Sequence, residues 1–264
     1  MITTWSHGVP ESNMAEEILT DLQDIITRHP WWLARSRLAL RLLDAHGVPH
    51  GGRVLDAGCG WGVTLAALAN TGYRVDGLDV SRRALERLDG PGRSLIEADL
   101  TSPPPPAERG VYDAALALDV IEHVDSDRAV IHSLAEVVRP GGIVIVSVPA
   151  LPDLYSDFDA VQGHRRRYMP DVLRAVFDGT ALHLCQLFWW GEWMVPVLRW
   201  QRRGQHPRAG EQPVDTYRRH LRLPPWPVPA LMAAAFRLEE GRALKGRTRT
   251  GTSLVAVAQR TAAP

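Results

Sequence analysis

Cysteine is scarce in this chain of 264 residues: Cys59 and Cys185 are the two it has. Their spacing fits no disulfide framework, which argues against a secreted, stapled scaffold and for a reducing compartment. Net charge is missing as well, since 30 basic residues balance 30 acidic ones. Without a global basic field, the electrostatic footprint of a duplex-binding protein is absent, and no nucleic acid partner is expected. No apolar run approaches the roughly 20 residues of a membrane span, so stable membrane insertion is not expected. The first ten residues lack the basic-then-apolar pattern of a secretory signal. The expected location is therefore the cytoplasm. The length suffices for one large α/β domain with a full core.

What the chain does have is the run Val54-Leu55-Asp56-Ala57-Gly58-Cys59-Gly60-Trp61-Gly62, followed by Val75-Asp76-Gly77-Leu78-Asp79-Val80-Ser81. Val54 and Leu55 read as the buried end of a strand. The glycines after them let the backbone turn sharply and approach a ligand before a helix begins at Trp61. A dinucleotide site accepts a pyrophosphate on bare backbone N–H groups at the positive end of that helix, and an acid in the loop would repel it. Asp56 occupies that position. A carboxylate there suits a ligand that brings an ammonium and a sulfonium, which is S-adenosylmethionine, and Asp79 at the end of the second strand can accept both ribose hydroxyls. With these residues the chain resembles the class I S-adenosylmethionine-dependent methyltransferases.

The remaining pattern fits that fold. Residues 11–46 read as helices, the second starting at Pro30 with an apolar face through Leu33, Leu38, Leu42 and Leu43. Ser81 is a good N-cap for a helix from Arg82 to Leu88. Strands are expected at Ser94 to Glu97, Tyr112 to Leu118, Ile143 to Val148, Ala181 to Phe188 and Ser253 to Ala258, with helices at Asp127 to Val138 and Asp171 to Phe177. This alternation predicts a Rossmann-like, seven-stranded, mostly parallel sheet with helices on both faces. The single domain divides into an N-terminal helical lid (1–50), a cofactor-binding core (51–188), a helical cap insertion (189–250) and a final strand and tail (251–264). Asp56, Asp79, Asp99 and Asp119 all fall at the carboxyl ends of strands, where such sheets bind ligands.

By resemblance, the cofactor-binding set comprises Asp56, Gly58, Cys59, Gly60, Trp61, Asp79, Val80, Asp99, Leu100, Asp119 and Val120. Asp99 and Leu100 would flank the adenine, and Asp119 and Val120 the methionine part. An arginine ahead of the first core strand, Arg35 or Arg37, would reach the cofactor carboxylate. A segment like Gly163-His164-Arg165-Arg166-Arg167-Tyr168 and a final Gly-Thr-Ser-Leu-Val-Ala-Val-Ala strand occur in a bacterial group of these enzymes with a helical excursion before the last strand.

Methyl transfer to a hydroxyl requires exclusion of water, alignment of the nucleophile and removal of a proton. His123 and His164 are the candidate bases. Arg166, Arg167, Tyr168 and Trp32 are the candidate acceptor-binding residues, because arginine can fork onto an anionic acceptor and tryptophan can line a cleft for a flat or lipophilic one. Asp119-x-x-Glu122-His123 with a distant His164 also resembles the Glu-x-x-Glu-His pattern by which some methyltransferases of this class hold a divalent ion. The shorter first acid, already wanted at the cofactor, argues against it, so no metal is expected. The segment Val195 to Arg203 could touch a membrane surface, although cap packing is the plainer reading. The expected reaction is transfer of a methyl group to a small or medium organic acceptor, aromatic, lipophilic or anionic, on oxygen in preference to nitrogen or carbon. A cofactor-binding, non-methylating enzyme of the same fold is the alternative, and the oligomeric state is left open.

Overall fold

The computed structural model describes residues 2–6, 16–202, 211–223 and 225–261. In chain order its elements are β1 (Ile2–Thr4), α1 (Glu16–Asp21), α2 (Gln23–Ile26), α3 (Pro30–Ala45), β2 (Arg53–Ala57), α4 (Val63–Asn70), β3 (Arg74–Asp79), α5 (Arg82–Leu88), β4 (Ser94–Glu97), β5 (Tyr112–Leu118), α6 (Asp127–Val137) and β6 (Val138–Pro149). They continue with α7 (Asp157–Val161), α8 (Pro170–Val176), β7 (Leu182–Trp190), α9 (Met194–Arg202), α10 (Pro213–Leu221), α11 (Val228–Ala243) and β8 (Ser253–Arg260). Short 3₁₀ turns join several of them. The expected helical start at residues 11–15 lies outside the described residues, as do 203–210 of the cap.

The strands form one sheet in the order β1-β4-β3-β2-β5-β6-β8-β7, parallel except for β8, which runs antiparallel to both neighbours. The sheet therefore has eight strands, one more than expected. The additional strand is β1, three residues that extend the edge by pairing Ile2, Thr3 and Thr4 with Leu95, Ile96 and Glu97. Such a short segment has no period of its own; the neighbouring edge strand makes it a strand.

The central strands are apolar without alternation because helices cover both faces. Leu55, Ala115, Val144 and Ala256 pack into one core with α6 and α8, and Val54, Ala114, Ile145 and Val257 into the other with α3 and α11. On α3 the buried face runs through Leu38, Ala39, Leu42 and Leu43, while Leu33 is 43% exposed. Leu33 precedes Leu38 by five residues, which turns it well off that face. Helix α4 begins at Val63 rather than Trp61, because Gly62 takes a left-handed conformation (φ +75°) as its N-cap. Ser81 caps α5 by accepting from the Ala84 N–H. All parallel strands end on one side of the sheet, and the large cleft of the molecule opens there.

Candidate active site

The glycine loop is held from below. The N–H groups of Gly58 and Cys59 both donate to the Leu78 carbonyl, at 2.7 and 2.9 Å, and the Gly60 N–H donates to Asp79 Oδ2 at 2.8 Å. Asp79 Oδ1 accepts from the Ser81 N–H at 2.9 Å. One carboxylate thus ties the loop after β2 to the turn after β3, with the Val80 backbone as a further donor. Burial pushes this carboxyl above its ordinary range, and the backbone donors pull it back. Gly58 has φ +76°, and a Cβ there would lie 2.5 Å from Val120 Cγ2. Gly58→Ala is expected to destabilise the protein by about 2–5 kcal/mol, from a left-handed penalty of about 1–2 and overpacking of about 1–3. A urea titration measures it; an unchanged midpoint would mean that the loop relaxes freely.

A cavity of about 830 Å³ lies over the strand ends. Of the expected cofactor residues, Gly58, Cys59, Gly60, Trp61, Asp79, Val80, Asp99, Leu100, Asp119 and Val120 line it. Asp56 does not. It sits within β2, beneath the loop, where it takes a hydrogen bond from the Leu65 backbone in the first turn of α4. Desolvation raises its carboxyl to about 7, with the nearby Arg35 opposing the shift. The expected direct contact of Asp56 with the ligand is therefore corrected: the side chain lies beneath the loop, outside the cavity.

Asp119 adopts φ +57°. Its Oδ1 accepts from Ser147 Oγ at 2.8 Å and its Oδ2 is paired with Arg35. Arg35 lines the cavity, whereas Arg37 turns to Glu240 on α11, 2.9 Å from Nε. Asp99 Oδ1 accepts from both the backbone N–H and the hydroxyl of Thr101, each at 2.8 Å.

At the other end of the cavity, His123 and His164 meet edge to face with ring centroids 4.7 Å apart. His164 Nδ1 lies 3.1 Å from Asp159 Oδ1, and its Nε2 lies 3.8 Å from Glu122 Oε1. Burial, then the neighbouring His164, lowers the His123 imidazole to about 3. Burial, then Asp119, raises the Glu122 carboxyl well above its usual range. Both Glu122 carboxylate oxygens and His123 Nδ1 are buried without a hydrogen-bond partner among the described residues. Glu122, His123 and His164 each offer a ligand atom within 4.8 Å of the others. Asp119 is not in this group, being committed to Arg35 and Ser147.

The arginine segment divides. Arg167 lines the cavity, with its Nε 2.7 Å from Asp159 Oδ1 and its Nη1 donating to the Ala150 carbonyl at 2.8 Å. Arg166 and Tyr168 do not line it, which corrects their assignment to the acceptor. Arg166 donates to the Val124 and Asp125 carbonyls, each at 3.1 Å, and the fully buried Tyr168 hydroxyl donates to Asp127 Oδ2 at 3.0 Å. Side chains alternate along this extended stretch, so Arg167 faces the cavity while its neighbours brace the loop after β5. Asp159 was not singled out in the sequence. Its signal is the capping box it forms with Ser156 at the start of α7.

Trp32 does line the cavity, its ring edge-on to Trp61 at 6.0 Å and to His29 at 4.8 Å. The cap closes the far wall with Trp193, Met194, Leu198, Tyr217, Leu221 and Met232.

Residues 31–207 match the family model described as a methyltransferase domain. The chain belongs to this family. With it comes the class I, S-adenosylmethionine-dependent reaction type, which the eight-stranded sheet and its strand-end cavity fit. The chain is 28% identical over 187 residues to a ubiquinone biosynthesis O-methyltransferase of Burkholderia ambifaria, a match covering 60% of this methyltransferase and 80% of that one. It is 33% identical over 134 residues to the enzyme of the same name from Thiobacillus denitrificans, covering 45% of this chain and 57% of that one. A chain from the complex of the Haloferax volcanii Trm112 methyltransferase activator with a methyltransferase has a similar fold: TM-score 0.60, 19% identity, 97% of this chain and 100% of that one covered.

Proposed function

We propose that this methyltransferase O-methylates a small or medium-sized organic acceptor with a lipophilic body, using His164 as the base. The observation that carries the reading is the Asp159–His164 pair, whose imidazole lines the cavity that the cap closes with Trp193, Met194, Leu198, Tyr217, Leu221 and Met232. Asp159 accepts a hydrogen bond from the His164 Nδ1–H, so the imidazole presents Nε2 as its lone pair. His123, held neutral down to about 3, is a much weaker proton acceptor and packs against that ring. An acceptor hydroxyl near Nε2 gives its proton to His164 as its oxygen becomes nucleophilic.

On the donor side, Asp79 accepts the ribose hydroxyls, Asp99 and Leu100 border the adenine, and Asp119 with Arg35 borders the methionine end. Bound S-adenosylmethionine supplies the activated methyl group. Arg167, already neutralised by Asp159, orients rather than binds an anion. The relatives' names, both O-methyltransferases, support oxygen as the acceptor atom. A second reading has Glu122, His123 and His164 holding a divalent ion beside the acceptor oxygen. The unpartnered Glu122 oxygens favour it, and the ion would lower the proton affinity of a bound hydroxyl.

Calorimetry with S-adenosylmethionine and S-adenosylhomocysteine, followed by a screen of phenols and catechols bearing apolar substituents, tests the proposal. The expected result is binding of both nucleosides, and S-adenosylhomocysteine release with one methyl gained on oxygen. Binding without turnover of any hydroxyl, while an amine or carbon acceptor is methylated, would overturn it.

A further inference from the structure

The mouth of the cavity is rimmed by apolar side chains that nothing among the described residues covers. Val197 on α9 and Val228 on α11 line the cavity and are themselves exposed. Trp200 follows Val197 by three residues and Leu231 follows Val228 by three, so each lies on the same helix face as its cavity-lining partner, toward solvent. Trp200 is 76% exposed, Leu231 62%, and Trp226, two residues before α11, 81%. Leu238, seven residues beyond Leu231 on the same face of α11, is 73% exposed. Six large apolar side chains on α9, α11 and the loop before it are thus exposed around one opening. Contiguous exposure of this kind marks a contact surface.

The same stretch is where the charge of the chain separates. Residues 194–237 contain eight arginines and two acids, Glu211 and Asp215, in a chain whose formal net charge is zero. Those two acids are paired with Arg219 and Arg218. Arg222 and Arg237 have no ion-pair partner among the described residues, and Arg222 stands at the cavity. Tryptophan and aliphatic side chains set among arginines match the boundary between lipid headgroups and acyl chains, and the excess positive charge matches an anionic leaflet. Aliphatic residues such as Leu231, Leu238 and Val228 offer no stacking surface for bases, which separates this rim from a nucleic acid platform.

We infer that the cap is a peripheral docking surface for an anionic lipid bilayer, seated so that the cavity mouth opens onto the headgroup layer. No helix among the described residues is long and apolar enough to cross a membrane, so the contact is interfacial. It gives a lipophilic acceptor a route into the cavity without passing through water. The docking itself does not depend on the methyl-transfer reading, and its readout contains no turnover step.

The experiment is co-sedimentation of the full chain with vesicles of phosphatidylcholine alone or mixed with phosphatidylglycerol. Binding is expected on the anionic vesicles, declining with added salt. A Trp200→Ser, Trp226→Ser, Leu231→Ser variant is expected to bind them at least about tenfold more weakly, with donor affinity and thermal midpoint unchanged because none of the three lines the cavity. Arg222→Ala with Arg237→Ala is expected to weaken binding roughly tenfold or more, on the order of fivefold for each arginine. Equal sedimentation with both vesicle types, or an unaffected triple variant, would overturn the inference. So would binding of a short RNA that survives the triple substitution, or self-association in the absence of lipid that the substitution abolishes.

Discussion

Replacing Asp79 by alanine is expected to lower the affinity for S-adenosylmethionine at least about a hundredfold, the equivalent of two charge-assisted hydrogen bonds to a ribose at about 1.5–3 kcal/mol each. The carboxylate is suited to that contact because it cannot move: one oxygen is fixed by the Gly60 N–H and the other by the Ser81 N–H. Alanine removes the acceptors and also leaves the Gly60 N–H unpaired, loosening the loop. Asp79→Asn keeps the shape and one acceptor oxygen, so it should fall between the two and show whether charge or fit dominates. Burial raises the Asp79 carboxyl, so its ionised, doubly accepting form is lost at a higher pH than that of an exposed aspartate. Donor affinity measured by calorimetry should therefore decline on acidification, beginning above the usual carboxylate range. If Asp79→Ala stays folded and binds the donor as tightly as the native chain, the ribose assignment is wrong.

What could be read without coordinates was local. The bounds of β4 and β5 were legible because β-branched, leucine and alanine runs end at turn residues, and Ser81 was legible because an N-cap signal needs only its own helix. The strand-end placement of Asp79, Asp99 and Asp119 followed from counting strands. Asp56 went astray for a reason of register: one residue deeper in the strand, a side chain leaves the cavity and meets the start of α4. Arg166, Arg167 and Tyr168 looked equivalent because the direction of successive side chains in an extended loop is set by what the loop packs on, here Asp127 on one side and Asp159 on the other. Asp159 gave only a capping signal, and its contact with His164 depends on α7 folding back onto the following turn. β1 is a product of long-range contact, which a single sequence does not display, and the cap was legible as a helical insertion but not in which of its side chains close the cavity.

Among these residues His164 should have the largest effect on chemistry. His164→Gln is expected to lower kcat for the best phenolic acceptor by about 10²–10⁴, the usual contribution of a positioned base, with donor affinity unchanged because the ring lies at the acceptor end. Asp159→Asn should produce a smaller loss and move the acidic limb of the pH profile. The amide can still bond Nδ1, but it neither fixes the tautomer nor stabilises the imidazolium. Arg167 complicates that variant usefully. Its guanidinium pairs with Asp159 inside the protein, so asparagine there leaves a buried cation short of its partner, and a lowered thermal midpoint should accompany the kinetic change. Recovery of the thermal midpoint on adding Arg167→Met, with kcat still reduced, would separate Asp159's hold on the base from its part in packing. His123→Gln distinguishes the base from a bound ion. If His164 acts alone, losing a neighbour already neutral down to about 3 changes kcat little and chelator has no effect. If Glu122, His123 and His164 hold an ion, His123→Gln and chelator should lower activity together, because each imidazole would then be one of three ligands.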